Sequence, residues 1–266
     1  MKQLHPFMAI RWLFVFYVFV TYPNSIFGQD RLKQIEASIA TKDISNFNKI
    51  GDKRIVNQFD LYNRVTSRTF KQVLNPEKAS STTINSASDF YNYRFIEEVS
   101  FNRVDFLKNF DFTLSQCFSQ ANFHESKFHG TAHFNWSRFK KKSTFSRSTF
   151  NQKVTFVRTR FEENSDFFQS YFKDEADFYG ANFLGNVTFI NAKFDDTAIF
   201  SFAQIHESAD FKNAVFAGKC YFNNSQINST INFHGTKFNE LLDLSNSSIQ
   251  GEVRFGNSIL PKFLDL

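Results

Sequence analysis

His124, His129 and His133 fall within ten residues of one another and form the only histidine cluster in the 266-residue chain. Three imidazoles could hold a zinc ion, which takes Cys, His and carboxylate ligands in tetrahedral geometry. Here no Cys stands close, and Glu125 is the one carboxylate beside them. The carboxylate pairs Glu162-Glu163 and Asp195-Asp196 could share acid and base work. Lys140, Lys141 and Lys142 form a basic cluster that could meet phosphate. There is no Gly-rich phosphate loop and no Ser, His and Asp set at an elbow motif. No cofactor is implied.

What these residues can do depends on the pattern that carries them. From Phe90 a bulky residue returns after 5 and then 6 residues, so the beat repeats every 11. One series is Phe90, Phe101, Phe112, Phe123, Phe134, Phe145, Phe156, Phe167, Phe178, Phe189, Phe200, Phe211, Phe222, Phe233, Leu244 and Phe255. The second starts at Phe95 and ends at Leu260, with Cys117, Ile205, Ile227 and Ile249 among its members; 26 of the 32 slots are Phe. Neither an amphipathic helix nor a simple strand produces this spacing. A fixed long period with anchored slots predicts a solenoid.

The residue two before each bulky slot is mostly Ala, Ser or Val, with Tyr93, Phe110 and Leu242 as large intrusions. Residues two apart on an extended chain point the same way. Each short strand therefore sends a small and a bulky side chain inward, with a polar residue such as Asp177 or Asn182 facing out. Phe118 could compete with Cys117 for its slot, but Cys117 keeps Ser115 inside, whereas Phe118 would bury Gln116.

Ala176-Asp177-Phe178-Tyr179-Gly180 and Ala181-Asn182-Phe183-Leu184-Gly185 resemble the unit of the pentapeptide-repeat family: a small residue, Asp or Asn, a bulky residue and two variable ones. Phe replaces the commoner Leu, and alternate units carry one extra residue, as in the Phe-centred branch of that family. The resemblance implies an all-β solenoid, a right-handed quadrilateral β-helix with one unit per face. Two 5s and two 6s make a coil of about 22 residues and about 8 coils in all. Cys117, Ile205, Ile227 and Ile249 differ by multiples of 22, which independently places them on one face. Stacked at ~4.8 Å, the Phe columns would form ring ladders.

This frame disposes of most of the chemistry. The three histidines fall on the outer surface of two successive faces, with a corner between His124 and His129. Both carboxylate pairs sit in short connections. Catalytic β-helices need long loops to wall a groove, and here no gap between slots exceeds six residues. Cys117 and Cys220 lie 103 residues apart, nearly five coils, whereas a disulfide needs Cα atoms within ~7 Å; two buried free thiols are expected. Under the 22-residue register Lys140 faces Glu162 and Lys141 faces Glu163 on the next rung, each exposed pair worth ~0–1 kcal/mol.

Four segments follow: a leader (1–28), an N-terminal cap and linker (29–83), the repeat (84–260) and a short tail (261–266). Lys2, His5 and Arg11 precede an apolar run from Trp12 to Tyr22, and Pro23 to Ser25 end it. Cleavage between Gly28 and Gln29 is expected, although Ile26 is a poor residue three before the cut. A membrane anchor needs ~20 apolar residues, and even from Phe7 the run has only 16 with Arg11 inside it. An exported location follows, periplasmic or at the cell surface, with membrane attachment only if the leader is retained. Leu32, Ile35 and Ile39 suggest a short helix after Asp30, and a second apolar cluster surrounds Phe59. Residues 29–83 count 10 basic and 6 acidic side chains, against 19 and 20 in 84–266. A cap is expected there, because a solenoid end exposes apolar surface and strand edges.

The near-neutral repeat excludes the acidic DNA-imitating role of some family members and argues against nucleic acid as a partner. A non-enzymatic rod with a structural or protein-binding role is therefore expected, its protein partner unknown, and end-to-end pairing of two copies is left open. The alternative is a carbohydrate-binding or carbohydrate-acting surface, which a row of exposed aromatics at one coil phase would favour. Tyr179 and Phe202 lie near such a face, but Trp136 and Phe168 are expected elsewhere, so no row is predicted. Thr144, Thr155 and Thr188 make no column of the kind ice binding needs.

Overall fold

The computed structural model describes residues 82–84, 88–95 and 98–265, the first three by backbone alone. The expected leader and the expected helices before Thr82 lie outside the described residues. Within these, every element is a strand of two or three residues and no helix occurs. All pairings are parallel and join residues 22 apart, as in Val154 with Ala176 and Ala176 with Ala198. The strands form four sheets of eight or nine members. Sheet A runs from Thr82–Ile84 to Lys237–Phe238, and sheet B from Ser88–Asp89 to Phe263–Asp265. Sheet C runs from Arg94–Phe95 to Ser248–Ile249, and sheet D from Val99–Ser100 to Val253–Arg254. The chain visits A, B, C and D in turn, so this part of the protein is a four-sided parallel solenoid of about 8 coils.

Each strand is short because its side chains alternate only once before a corner. Ala176 and Phe178 are fully buried while Asp177 between them is half-buried. Rings in successive coils lie flat on one another: Phe134 to Phe156 is 4.7 Å between centroids and Phe156 to Phe178 is 4.8 Å. Columns B and D meet edge to face, as in Phe156 with Phe167 at 5.5 Å and 89°. Rings such as Phe156 thus combine offset stacking with T-shaped contact, the two geometries the ring quadrupole favours. Cys117 occupies the inward slot on sheet C, paired with Phe139, and Phe118 lies outside. Several buried hydroxyls at small slots are satisfied one coil back, as Ser148 donates to Phe123 O at 2.7 Å and Ser170 to Phe145 O at 2.9 Å, whereas those of Ser143, Ser165 and Ser225 have no partner among the described residues.

The five-residue connections, B to C and D to A, are tight turns. In each, the bulky residue's carbonyl accepts the N–H three residues on, as Phe178 O does from Ala181 at 3.0 Å. The third turn residue has positive φ at every position from Asn92 to Asn257, between 52° and 69°. Eight of these positions are Asn or Gly; the rest are Arg103, Leu114, Glu125, Trp136, Arg147, Arg158, Gln169 and Phe202. A side chain in this left-handed region costs roughly 1–2 kcal/mol. The outward Asp or Asn of sheets B and D opens the turn, as Asp177 Oδ1 does by accepting Tyr179 N at 2.9 Å. The six-residue connections occupy the other two corners, where coils press closely. A Cβ at Gly185 would lie 2.7 Å from Asn164 N.

The C-terminal end departs from the expected core. Phe255 stacks on Phe233 at 5.3 Å but stays partly exposed, and Leu260 is exposed, because no further coil among the described residues covers them. The tail is also not free of the repeat: Phe263–Asp265 adds a ninth strand to sheet B against Leu241–Asp243.

Candidate functional site

The histidines are kept apart by the coil. His124 takes the second place in a D-to-A turn, with Nδ1 2.7 Å from Ser146 Oγ and Nε2 3.3 Å from Glu125. His129 lies past sheet A, 3.2 Å from Asn151 Nδ2. His133 faces outward on sheet B, 3.0 Å from Thr155 Oγ1. Each is tied to its own neighbour one coil on, and no group of three or more metal-ligating side chains gathers among the described residues.

The carboxylate pairs are also divided. Glu163 meets Lys141 at 2.7 Å, and that bond first of all holds its carboxyl below the usual range. Glu162 turns instead to Arg138 and to Arg160, the latter at 3.4 Å. The expected Lys140–Glu162 pair is therefore not formed. Lys140 Nζ sits 3.7 Å from the centre of the Phe118 ring, where a cation is attracted by the ring face. Asp195 binds Lys193 at 2.8 Å and accepts from Tyr171; burial would raise its carboxyl, but these bonds bring it below the usual range. Asp196 instead accepts its neighbour's amide, Thr197 N, at 2.6 Å. Cys117 and Cys220 are free and buried, and burial pushes both thiols well up.

A different constellation appears at the two tight corners. The D-to-A corner is a polar ladder: Arg103 Nε meets Glu125 at 2.7 Å, Arg147 meets Glu125 at 3.3 Å, and Arg147 Nε donates to Gln169 at 3.1 Å. The B-to-C corner has the same backbone but stacks Leu114, Trp136, Arg158, Gly180, Phe202 and Asn224, each 22 residues after the last. Leu114 is 38% exposed, Trp136 52% and Phe202 48%. Tyr179, one place earlier in its turn and 37% exposed, lies 5.2 Å from Phe202, and Arg158 stacks on Trp136 at 4.8 Å. The expectation that Trp136 lies away from Tyr179 and Phe202 is thus corrected: three coils of 22 carry position 136 to position 202. Phe168 does lie elsewhere, at the D-to-A corner, partly exposed.

The signal for these turn positions was present in the sequence as Asn and Gly recurring at intervals of 11 or 22 residues, at Gly180, Asn191, Asn213, Asn224, Gly235, Asn246 and Asn257. Separately, an open hollow of about 460 Å³ lies at the C-terminal end among Lys219, Glu240, Lys262 and Phe263.

Geometry of this kind defines a parallel β-solenoid whose surface is organised in columns. A family description, pentapeptide repeats (9 copies), matches residues 167–215 and 211–259. Residues 167–259 carry the pentapeptide repeats of that family. No curated protein and no solved structure matches it.

Proposed function

We propose that the protein is an exported, non-enzymatic rod that acts by displaying its outer surface to a binding partner. The observation that carries this reading is the division of labour along the coil. Inward positions repeat one solution, while corner and outward side chains differ from column to column. Connections of five or six residues raise no walls around a groove, and pentapeptide-repeat solenoids are generally non-enzymatic. The apolar run Trp12 to Tyr22 and Gly28 before Gln29 support export with leader removal.

Two measurements test this. Mass spectrometry of the native protein should find Gln29 at the N-terminus; Met1 would mean a retained anchor. The purified chain should turn over no member of a glycan panel, and hydrolysis or lyase cleavage would defeat the non-enzymatic part. The uncovered end at Ile259, Leu260, Phe263 and Leu264 supports end-to-end pairing with a second copy, which sedimentation would report as a dimer.

A further inference from the structure

Trp136 and Phe202 carry two costs at once. Both expose large apolar rings to water, and both hold the left-handed backbone (φ 57° and 58°) that favours Gly or Asn. Neither burial nor backbone preference accounts for a ring at such a position. The D-to-A corner supplies an internal control: it meets the same backbone demand with Arg, Glu, Gln, Asn and Gly and exposes no ring at that turn position. The fold therefore does not require the rings, and costly exposed side chains point to recognition.

The surroundings indicate what is recognised. From Tyr179 to Asn224 the corner consists of Tyr179, Gly180, Ser201, Phe202, Asn223 and Asn224, with no charge. Sheet C beside it presents Asn182, Gln204 and Gln226 as an amide column, Asn182 donating to Gln204 at 2.9 Å. At the Trp136 end Arg158 lies against Trp136, and Arg138 and Arg160 on sheet C are both paired with Glu162, so the strip has no free basic stripe for nucleic acid and no run of one charge for a charged peptide. A globular protein partner needs a broad patch with a dry centre, whereas the rings lie along one narrow edge of the coil. Rings along one edge, with Tyr179 two coils and Phe202 three coils beyond Trp136 at ~4.8 Å per coil, flanked by hydroxyls and amides, suit a linear chain with apolar ring faces and hydroxyl edges.

The geometry points to the B-to-C corner, from Trp136 to Phe202, as a binding strip for a neutral polysaccharide lying along the solenoid axis. This rests on the reading of the rod as a display surface. Pyranose C–H faces stack on Trp136, Tyr179 and Phe202, and their hydroxyls meet the Gln204 and Gln226 amides. Arg158, lying against Trp136, holds that ring in place.

The test is retention of the full chain by neutral polysaccharides: soluble β-glucan and galactomannan in affinity gels, cellulose and chitin in pull-downs. Asn at positions 136 and 202 removes the rings while suiting the turn, so the double variant W136N/F202N should melt no lower than the wild type. Expected are retention of the wild type on at least one polysaccharide, insensitive to salt, and binding about tenfold weaker or worse in the double variant. R147N/Q169N on the opposite corner should bind like the wild type. The proposal is overturned if no neutral polysaccharide retains the wild type, or if both double variants bind alike. Those outcomes leave the display reading standing, whereas cleavage of a bound polysaccharide would remove its non-enzymatic part and keep the strip.

Discussion

Phe178 lies flat against Phe200, ring centroids 4.9 Å apart and planes 5° from parallel, and meets Phe156 on its other face at 4.8 Å. A ring held on both faces has no room to relax when a neighbour is removed. Phe178→Ala should cost about 3–5 kcal/mol, the usual result of a cavity in a rigid core, and Phe178→Asp should cost more because it strands a charge. Tyr179→Asp, next in sequence but exposed, should change stability by under ~1 kcal/mol. Urea midpoints decide this, and equal tolerance at both positions would contradict the inward assignment.

The tight turns yield a stability prediction of opposite sign. Leu114 is exposed with φ 60°, so Leu114→Gly should relieve backbone strain and stabilise by about 1 kcal/mol. Gly180→Ala, at φ 61° and with its new Cβ 3.3 Å from Arg158 Cγ, should lose a similar amount. Thermal midpoints by circular dichroism should move in opposite directions.

Glu125 and Asp177 should respond oppositely to acid. The Arg103 hydrogen bond, with Arg147 assisting, holds the Glu125 carboxyl below its ordinary value. Its contribution is present above the unfolded pKa and lost as pH falls through the lower folded value. Burial raises Asp177, despite the Tyr179 N–H bond, so its contribution is present in acid and lost as pH rises through the raised value. The stability gap between wild type and Glu125→Gln should hold from neutrality to about pH 5 and close in stronger acid. Because Glu125 is partly exposed, high salt should shrink the gap.

Cys117 and Cys220 are fully buried with thiols pushed well up. The thiolate is the nucleophile that attacks a disulfide reagent and displaces its leaving thiolate, so neither cysteine should react in the native protein, and both should react together on unfolding in urea. Reaction of either under native conditions would place it at the surface.

Sequence and structure agree where physical constraint is strongest. The inward slots could be read through Phe178, Ala176 and Cys117 because one cross-section must be filled in every coil, and any slip would bury a residue such as Gln116. Outward side chains are less constrained. Lys140 has both Phe118 and Glu162 within reach of a long flexible stem, and Glu162 has Arg138 and Arg160, so the backbone register alone does not select partners. The aromatic corner escaped notice for a different reason. Its members are separated by Arg158 and Gly180, and Tyr179 stands one place out of step, so the column becomes visible only when positions are reduced to their phase in the coil.

The backbone repeats every 11 residues, but the surface columns repeat every 22. Length in this protein is therefore quantised. Excising 22 residues such as 164–185 would shorten the ruler by one graduation of ~4.8 Å and leave the two kinds of corner in line. Excising 11 would still splice five- and six-residue units in rhythm, yet it would cross-wire the edges, joining aromatic rungs on one side of the cut to charged rungs on the other.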